Sequence, residues 1–256
     1  MKTKVIFKAA RFLSRRVLLL PILVGWMPGS VWADCSSRSG NPQLHLVELY
    51  SSEGCNSCPP AEQWLSTLRK SPQLVGMEFH VDYWDSPAWK DPFSNHAYTE
   101  RQEALARRAN HGQVYSPQIW IDGVVWKNWP RGTPPAVVEN SPLVLSAVIK
   151  AETPLRAVFD VANVGVKETY RLYAAVTESG LSRSVTGGEN KGKKLNHDSV
   201  VRAFNGPLQL PHAEVEFHLP PGVDLAHADV VGFVQDEKDG SIVQVVRLPL
   251  DKCPKS

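Results

Sequence analysis

The segment Cys55-Asn56-Ser57-Cys58 constrains this chain more than any other feature. The apolar run Leu44–Tyr50 before it reads as a strand, and the stretch from Pro59 to Leu68 carries Ala61, Trp64, Leu65 and Leu68 at helical spacing. Two cysteines three apart at such a junction can close a small disulfide. Amide dipoles at a helix start stabilise a thiolate and lower the pKa of the first thiol. A strand–CxxC–helix context is therefore a redox signal. Haem attachment is excluded because Pro59, not His, follows Cys58, and a structural zinc site would need a second ligand pair that the spacing does not offer.

The start of the chain sets the compartment. Lys2, Lys4, Lys8, Arg11, Arg15 and Arg16 precede the apolar run Val17–Met27, and Val31-Trp32-Ala33 ends it on a small residue. A basic start, a short apolar stretch and a small-residue exit describe a secretory signal peptide over residues 1–33. The run is broken by Pro21 and is too short to span a bilayer. Ser14-Arg15-Arg16-Val17-Leu18-Leu19 also has the letters of a twin-arginine export motif. Asp34 before Cys35 is wrong for a lipid anchor. Cleavage after Ala33 removes six basic and no acidic residues, turning a net charge of +2 into −4. Nucleic acid and stable membrane insertion then lack support, and a periplasmic or secreted protein is expected.

Cys35, Cys55, Cys58 and Cys253 all survive this cut. Four cysteines in an exported chain imply disulfides and allow three pairings. The favoured pairs are Cys55–Cys58 and a structural Cys35–Cys253 bond joining the two ends of the mature chain.

A composition 43% hydrophobic and 21% charged excludes a disordered or collagen-like chain. Residues 40–152 mix short apolar runs with helical periodicity. Val75–Asp82 reads as a second strand and Tyr98–Asn110 as a helix stopped by Gly112. Gln118–Ile121 and Val124–Lys127 flank the hairpin signal Asp122-Gly123, and Ser141-Pro142 has the form of a helix start. Residues 155–250 read as about six alternating strands: Arg156–Val164, Tyr170–Thr177, Val200–Phe204, Glu214–Leu219, Val230–Gln235 and Ile242–Leu248. Asp239-Gly240 marks a hairpin between the last two. The boundary falls near Glu152–Leu155.

Tyr115-Ser116-Pro117-Gln118 places a proline just ahead of a strand. CxxC after the first strand, then helix, strand, helix, proline, hairpin and helix, resembles the thioredoxin superfamily. That resemblance implies an α/β thioredoxin-like domain followed by an antiparallel β-sandwich-like domain. It gives Cys55 the attacking role, Cys58 the resolving role and Pro117 the guiding of substrate. Val47-Glu48-Leu49-Tyr50 is similar to the segment carrying the superfamily's buried acid, with Glu48 in place of Asp. Asn56-Ser57 matches neither reductase nor glutaredoxin dipeptides, and Glu53 would oppose a thiolate if it points inward. Redox direction stays open.

A more specific likeness runs along the mature chain. Glu48-Leu49-Tyr50-Ser51-Ser52-Glu53-Gly54-Cys55-Asn56-Ser57-Cys58-Pro59-Pro60-Ala61, His80-Val81-Asp82-Tyr83-Trp84-Asp85, Arg101-Gln102 and Tyr115-Ser116-Pro117-Gln118 are similar to a bacterial exported family of unknown function, the domain-of-unknown-function 1223 group. Gly188-Glu189-Asn190-Lys191-Gly192, His197-Asp198 and Val200-Val201-Arg202 also fit it. The resemblance implies fold and compartment but no reaction.

Glu78, His80, Asp82 and Trp84 alternate with Met77, Phe79, Val81 and Tyr83, so one face of that strand is polar. His80 or Asp82 is placed to handle protons for the dithiol, or both belong to a network ordering the loop after Trp84. A third reading makes Cys55, Cys58 and His80 ligands for Cu(I). Arg101 and Gln102 are expected on an exposed helix face. Lys191, Lys193 and Lys194 are expected in a flexible, solvated loop.

The leading expectation is an exported thiol–disulfide oxidoreductase acting on a protein or small thiol/disulfide substrate, with no organic cofactor or metal required. The competing expectation is a non-catalytic binding protein in which Cys55–Cys58 is static and the loops Asp85–His96 and Gly187–His197 hold a partner.

Overall fold

The computed structural model describes residues 35–40, 43–109, 112–132, 134, 140–150, 154–162 and 165–253. The leader expected over residues 1–33 lies outside the described residues. So do Glu152, Asn110 and Val164, which were expected to bound a domain, a helix and a strand.

In chain order the strands are β1 (Cys35–Arg38), β2 (His45–Ser51), β3 (Leu74–His80), β4 (Gln118–Ile121), β5 (Val124–Val125), β6 (Val144–Lys150), β7 (Leu155–Ala162), β8 (Tyr170–Glu178), β9 (Leu181–Ser184), β10 (Lys194–His197), β11 (Val200–Leu208), β12 (His212–Phe217), β13 (Ala228–Asp236) and β14 (Ile242–Pro249). The α-helices among the described residues are α1 (Pro59–Leu68) and α2 (His96–Arg108).

Eight strands form one mixed sheet in the order β14-β13-β8-β11-β3-β2-β4-β5. β2 and β3 run parallel with α1 as their crossover, β4 returns antiparallel to β2, and β11 joins the parallel edge of β3 at Val200↔Glu78. A second, antiparallel sheet has the order β1-β6-β7-β12, and β9 pairs with β10 in a separate hairpin.

Strand alternation decides what each face of the large sheet buries. Val47 and Leu49 of β2, with Ile119 and Ile121 of β4, pack on Ala61, Trp64 and Leu65 of α1. Leu46 and Tyr50 point the other way and join Phe79, Trp120, Phe233 and Val245 under Tyr98, Leu105 and Ala106 of α2. Farther along the sheet, Leu172, Ala174 and Val176 of β8 pack on Leu145, Ala147 and Ile149 of β6 and on Phe159 and Phe217 of the four-stranded sheet.

This architecture corrects the expected fold class. It is a predominantly β structure, not an α/β thioredoxin-like domain followed by a β-sandwich-like domain. The local β–α–β pattern was legible, but β11, from late in the chain, inserts beside β3 and makes strands from both halves one sheet. The helix expected after Ser141-Pro142 is also corrected. Ser141 Oγ accepts from the Leu143 amide at 3.1 Å in a short turn, and β6 follows. Its residues alternate between buried and half-buried between β1 and β7, a period of two. Both expected disulfides are present, with Cα separations of 5.1 Å for Cys35–Cys253 and 5.5 Å for Cys55–Cys58.

Candidate functional site

The Cys55–Cys58 disulfide occupies the turn between β2 and α1. The Cys55 amide donates to the Ser52 carbonyl at 3.1 Å and the Cys58 amide to the Cys55 carbonyl at 3.2 Å. Cys58 then caps the helix through its carbonyl, which accepts from Ala61 at 2.8 Å and Glu62 at 3.2 Å. Pro59 and Pro60 fill the first helical positions, where a missing N–H costs nothing. Cys55 Sγ lies 3.3 Å from Ser57 Oγ.

Both cysteines are 0% exposed. The loop between β9 and β10 holds down the segment that carries them. The Asn190 side-chain amide donates to the carbonyls of Glu53 at 3.0 Å and Cys55 at 2.8 Å. The Glu189 amide donates to the Gly54 carbonyl at 3.0 Å, and the Glu189 carboxylate accepts from the Asn56 amide at 3.0 Å. Glycine is required here by contact. A Cβ on Gly187 would overlap Trp89, and Gly188, at φ +65°, would put one 2.6 Å from the Gly54 Cα. The lysines of this loop are exposed, as expected. Asn190 is fully buried, however, so the loop is a built clamp and the expectation of a flexible solvated segment is corrected.

Beside the disulfide segment lies a polar cluster without solvent contact. Glu53, Glu62, Glu78, His80, Asp91 and His197 are each at most 2% exposed. His80 donates from Nδ1 to Asp91 Oδ2 and from Nε2 to Glu78 Oε1, each at 2.8 Å. Asp91 Oδ2 also accepts from the Glu53 amide at 2.7 Å, two residues before Cys55. Ser51 Oγ donates to Glu62 Oε1 at 2.5 Å. His197 Nε2 is 3.3 Å from Glu53 Oε1, and Nδ1 is 3.4 Å from both Glu62 Oε2 and Glu78 Oε1. Neither His197 nitrogen makes a directed hydrogen bond to these oxygens, and Glu53 Oε2 and Glu78 Oε2 also lack one.

Four carboxylates thus face two imidazoles and Arg183, whose Nε is 3.2 Å from Glu53 Oε1. Burial alone would depress His80, but Asp91 and Glu78 outweigh it and push the ring up to about 10. Burial likewise opposes charging of His197, yet Glu53, Glu62 and Glu78 push it up to about 12. Glu78 is held down to about 2 because the two histidines overcome its burial. Burial and the nearby Glu78 raise the Glu62 carboxyl. For Asp91, His80 overcomes burial and holds the carboxyl low.

The structure separates some residues that the sequence grouped. His80 ends β3 inside the cluster. Asp82 lies beyond the strand, where alternation no longer holds, and accepts from Thr99 Oγ1 at 2.6 Å and pairs with His96 at 2.9 Å near the start of α2. Glu48 lies on the α2 face, with Arg101 Nε at 2.7 Å, Arg101 Nη2 at 2.8 Å and the Tyr50 hydroxyl at 2.9 Å. Arg101 and Gln102 are buried, contrary to the exposed face expected for them. The Arg101 guanidinium sits against Tyr173, Phe204 and Phe233, with Cζ 4.9–5.1 Å from the ring centroids. Pro117 is buried at the start of β4 and follows a cis bond from Ser116. Ser116 Oγ accepts from Trp84 Nε1 at 2.7 Å, and the Trp84 Cβ lies against Gly54.

Glu62, Asp91 and His197 escaped the sequence reading as site residues. The available signal was their company: Glu62 lies in the first turn after CxxC, and His197 follows the glycine-rich motif.

Among the described residues no helix is long and apolar enough to cross a membrane. No protein of curated function matches the sequence. A crystal structure of a protein from Agrobacterium tumefaciens is similar at a TM-score of 0.56 and 20% identity, covering 82% of this chain and 96% of that one. The structure of HBP35 of Porphyromonas gingivalis is similar at a TM-score of 0.59 and 13% identity, covering 84% of this chain and 77% of that one. Such likenesses speak to the fold alone. The sequence itself places the chain more narrowly: residues 46–235 match the family described as "Protein of unknown function (DUF1223)", and the chain belongs to that family.

Proposed function

We propose that this protein is an exported thiol–disulfide oxidoreductase acting through Cys55 and Cys58. The observation that carries the reading is the pair itself: two cysteines joined in the turn that opens α1, with Cys58 as the helix cap. Amides at a helix start favour a thiolate there.

In the reduced protein, the Cys55 thiolate attacks one sulfur of a substrate disulfide. A bond forms between Cys55 and that sulfur, the substrate S–S bond breaks, and the other substrate sulfur leaves as a thiolate. Cys58 then loses its proton to water or the leaving thiolate and attacks Cys55 Sγ. The Cys55–Cys58 bond forms and the second substrate thiolate departs. Two electrons have moved from the protein dithiol to the substrate, and the reverse sequence oxidises a substrate dithiol. In this reading Pro117, ahead of the strand that pairs with β2, takes the role of orienting the partner chain. His80 has a positioning role: it braces Asp91, which holds the Glu53 amide two residues before Cys55. Glu48 and Asp82 are taken up by Arg101 and by Thr99 with His96, and receive no step.

A second reading, a binding protein with a static disulfide, is favoured by one observation: both cysteines are fully buried and their segment is clamped by Glu189 and Asn190. The reduction potential of Cys55–Cys58, measured by thiol trapping across graded redox buffers, separates the two. A value between about −120 and −270 mV supports exchange, and one below about −300 mV marks a structural bond and overturns the first reading.

A further inference from the structure

We propose that the buried cluster beside the disulfide is a closed site for one divalent transition-metal ion of the zinc type, with Glu78, His80, His197 and Glu62 as ligands. The proposal rests on geometry and does not depend on the redox reading of Cys55–Cys58.

One ligand atom each from Glu78, His80 and His197 lies within 4.8 Å of the other two, and all three residues are buried. Bonds of about 2.0–2.1 Å in a tetrahedron put neighbouring ligand atoms roughly 3.4 Å apart. His197 Nδ1 stands 3.4 Å from Glu78 Oε1 and from Glu62 Oε2, and His80 Nε2 stands 2.8 Å from Glu78 Oε1. Glu78, His80 and His197 converge on one centre, and Glu62, which stands beside His197 Nδ1, completes the set by rotation of its side chain.

The second observation is unmet polarity. His197 is 1% exposed and neither ring nitrogen makes a directed hydrogen bond, nor does Glu78 Oε2. His197 thus has carboxylates beside it but no directed hydrogen bond, and a cation bound at Nδ1 and at the Glu78 carboxylate completes that polarity.

The far side of each ring completes the design. Metal-bound histidines almost always present their other nitrogen to a carboxylate, carbonyl or water, which fixes the tautomer. His80 turns Nδ1 to Asp91 at 2.8 Å, and His197 turns Nε2 towards Glu53 at 3.3 Å. Ser51 Oγ holds the second oxygen of Glu62 at 2.5 Å. Two imidazoles with two carboxylates form a borderline nitrogen–oxygen set that suits zinc and excludes a soft Cu(I) site. A ligand nitrogen binds the ion in its deprotonated form, so any proton it carries is released on binding. The four ligands come from α1, β3 and β10, so the ion would tie the helix after Cys58 to the hairpin whose loop covers Cys55.

The test uses the mature chain with both disulfides oxidised, stripped with a chelator and offered Zn2+ alone, in the folded state and during refolding. One equivalent of Zn2+ per chain is expected, with a melting temperature that rises with free Zn2+. Glu53→Gln, which neutralises the carboxylate orienting His197 and pairing with Arg183 but removes no ligand, should weaken binding about 10–100-fold. His197→Gln should weaken it further. Should His197→Gln fail to fold, cadmium NMR of the wild-type protein gives the answer: a nitrogen–oxygen environment is expected, and a sulfur environment overturns the site. Absence of saturable Zn2+ binding overturns it too, as does binding that survives His197→Gln. Binding lost instead in variants of the exposed His212 or His227 also overturns it.

Discussion

The Asn190 side-chain amide donates to the backbone carbonyl of Cys55 at 2.8 Å, across 135 positions of sequence. The same amide holds the Glu53 carbonyl, so one residue of a distant loop fixes both sides of the segment entering the CxxC turn. Access to the disulfide is therefore a property of the loop as much as of the cysteines.

Loosening that loop should speed reduction. Asn190→Ala removes two buried hydrogen bonds at about 1 kcal/mol each, which corresponds to roughly a thirtyfold larger open population. Gly188→Ala should act in the same direction, because its Cβ would meet the Gly54 Cα at 2.6 Å. The rate at which dithiothreitol reduces Cys55–Cys58 is the readout, with Cys35–Cys253 followed separately. An unchanged rate in both variants would show that the loop is not the gate.

Arg101→Met should be strongly destabilising. It leaves Glu48 buried and uncompensated, a change that costs about 3–5 kcal/mol. The double variant Glu48→Gln with Arg101→Met should recover part of the loss, since the two residues share one interaction. Urea unfolding of the two singles and the double measures this coupling. A purely additive double variant would contradict it.

Loss of the end-joining bond should lower stability without touching the site. Cys35 and Cys253 are 218 positions apart, and a loop of that size is worth at most about 5 kcal/mol in the chain-entropy account. Cys35→Ser with Cys253→Ser should reduce the urea midpoint and leave the Cys55–Cys58 potential unchanged. A shift in that potential would reveal coupling between the two bonds.

Alkaline stability should fail in a defined window. Burial pushes Tyr98 up to about 12, and burial with a hydrogen bond to Glu237 does the same for Tyr173. Both folded values exceed the ordinary tyrosine value near 10. The stability they contribute is therefore complete below about pH 10 and lost as pH rises towards 12. Tyrosinate absorbance followed together with circular dichroism should show these rings ionising with unfolding. Ionisation of all the tyrosines near pH 10 in the folded protein would refute it.

Local signals carried far in this chain. Helix α1 spans the expected residues, because Pro59, Pro60 and the apolar spacing of Ala61, Trp64 and Leu65 all act within one or two turns. Asp122-Gly123 and Asp239-Gly240 mark real reversals for the same reason, since positive φ at Gly123 and Gly240 is a local requirement. Both disulfide pairings were also legible, one from its spacing and one by elimination at the chain ends.

What the sequence could not decide were matters of partner. An arginine on a mostly polar helix reads as solvated. Arg101 is buried because Glu48 on β2 and aromatic rings from β8, β11 and β13 meet it there. His197 reads as a loop residue, and only the docking of β10 beside α1 and β3 puts it among Glu53, Glu62 and Glu78. The expected fold class failed on the same point. A strand's neighbour is chosen by long-range pairing, and β11, not any nearby segment, occupies the place beside β3. Hydrophobic period and turn chemistry act within a few residues and are written in the chain. The burial of a charge and the order of strands depend on segments far away in sequence, and only the folded structure brings those together.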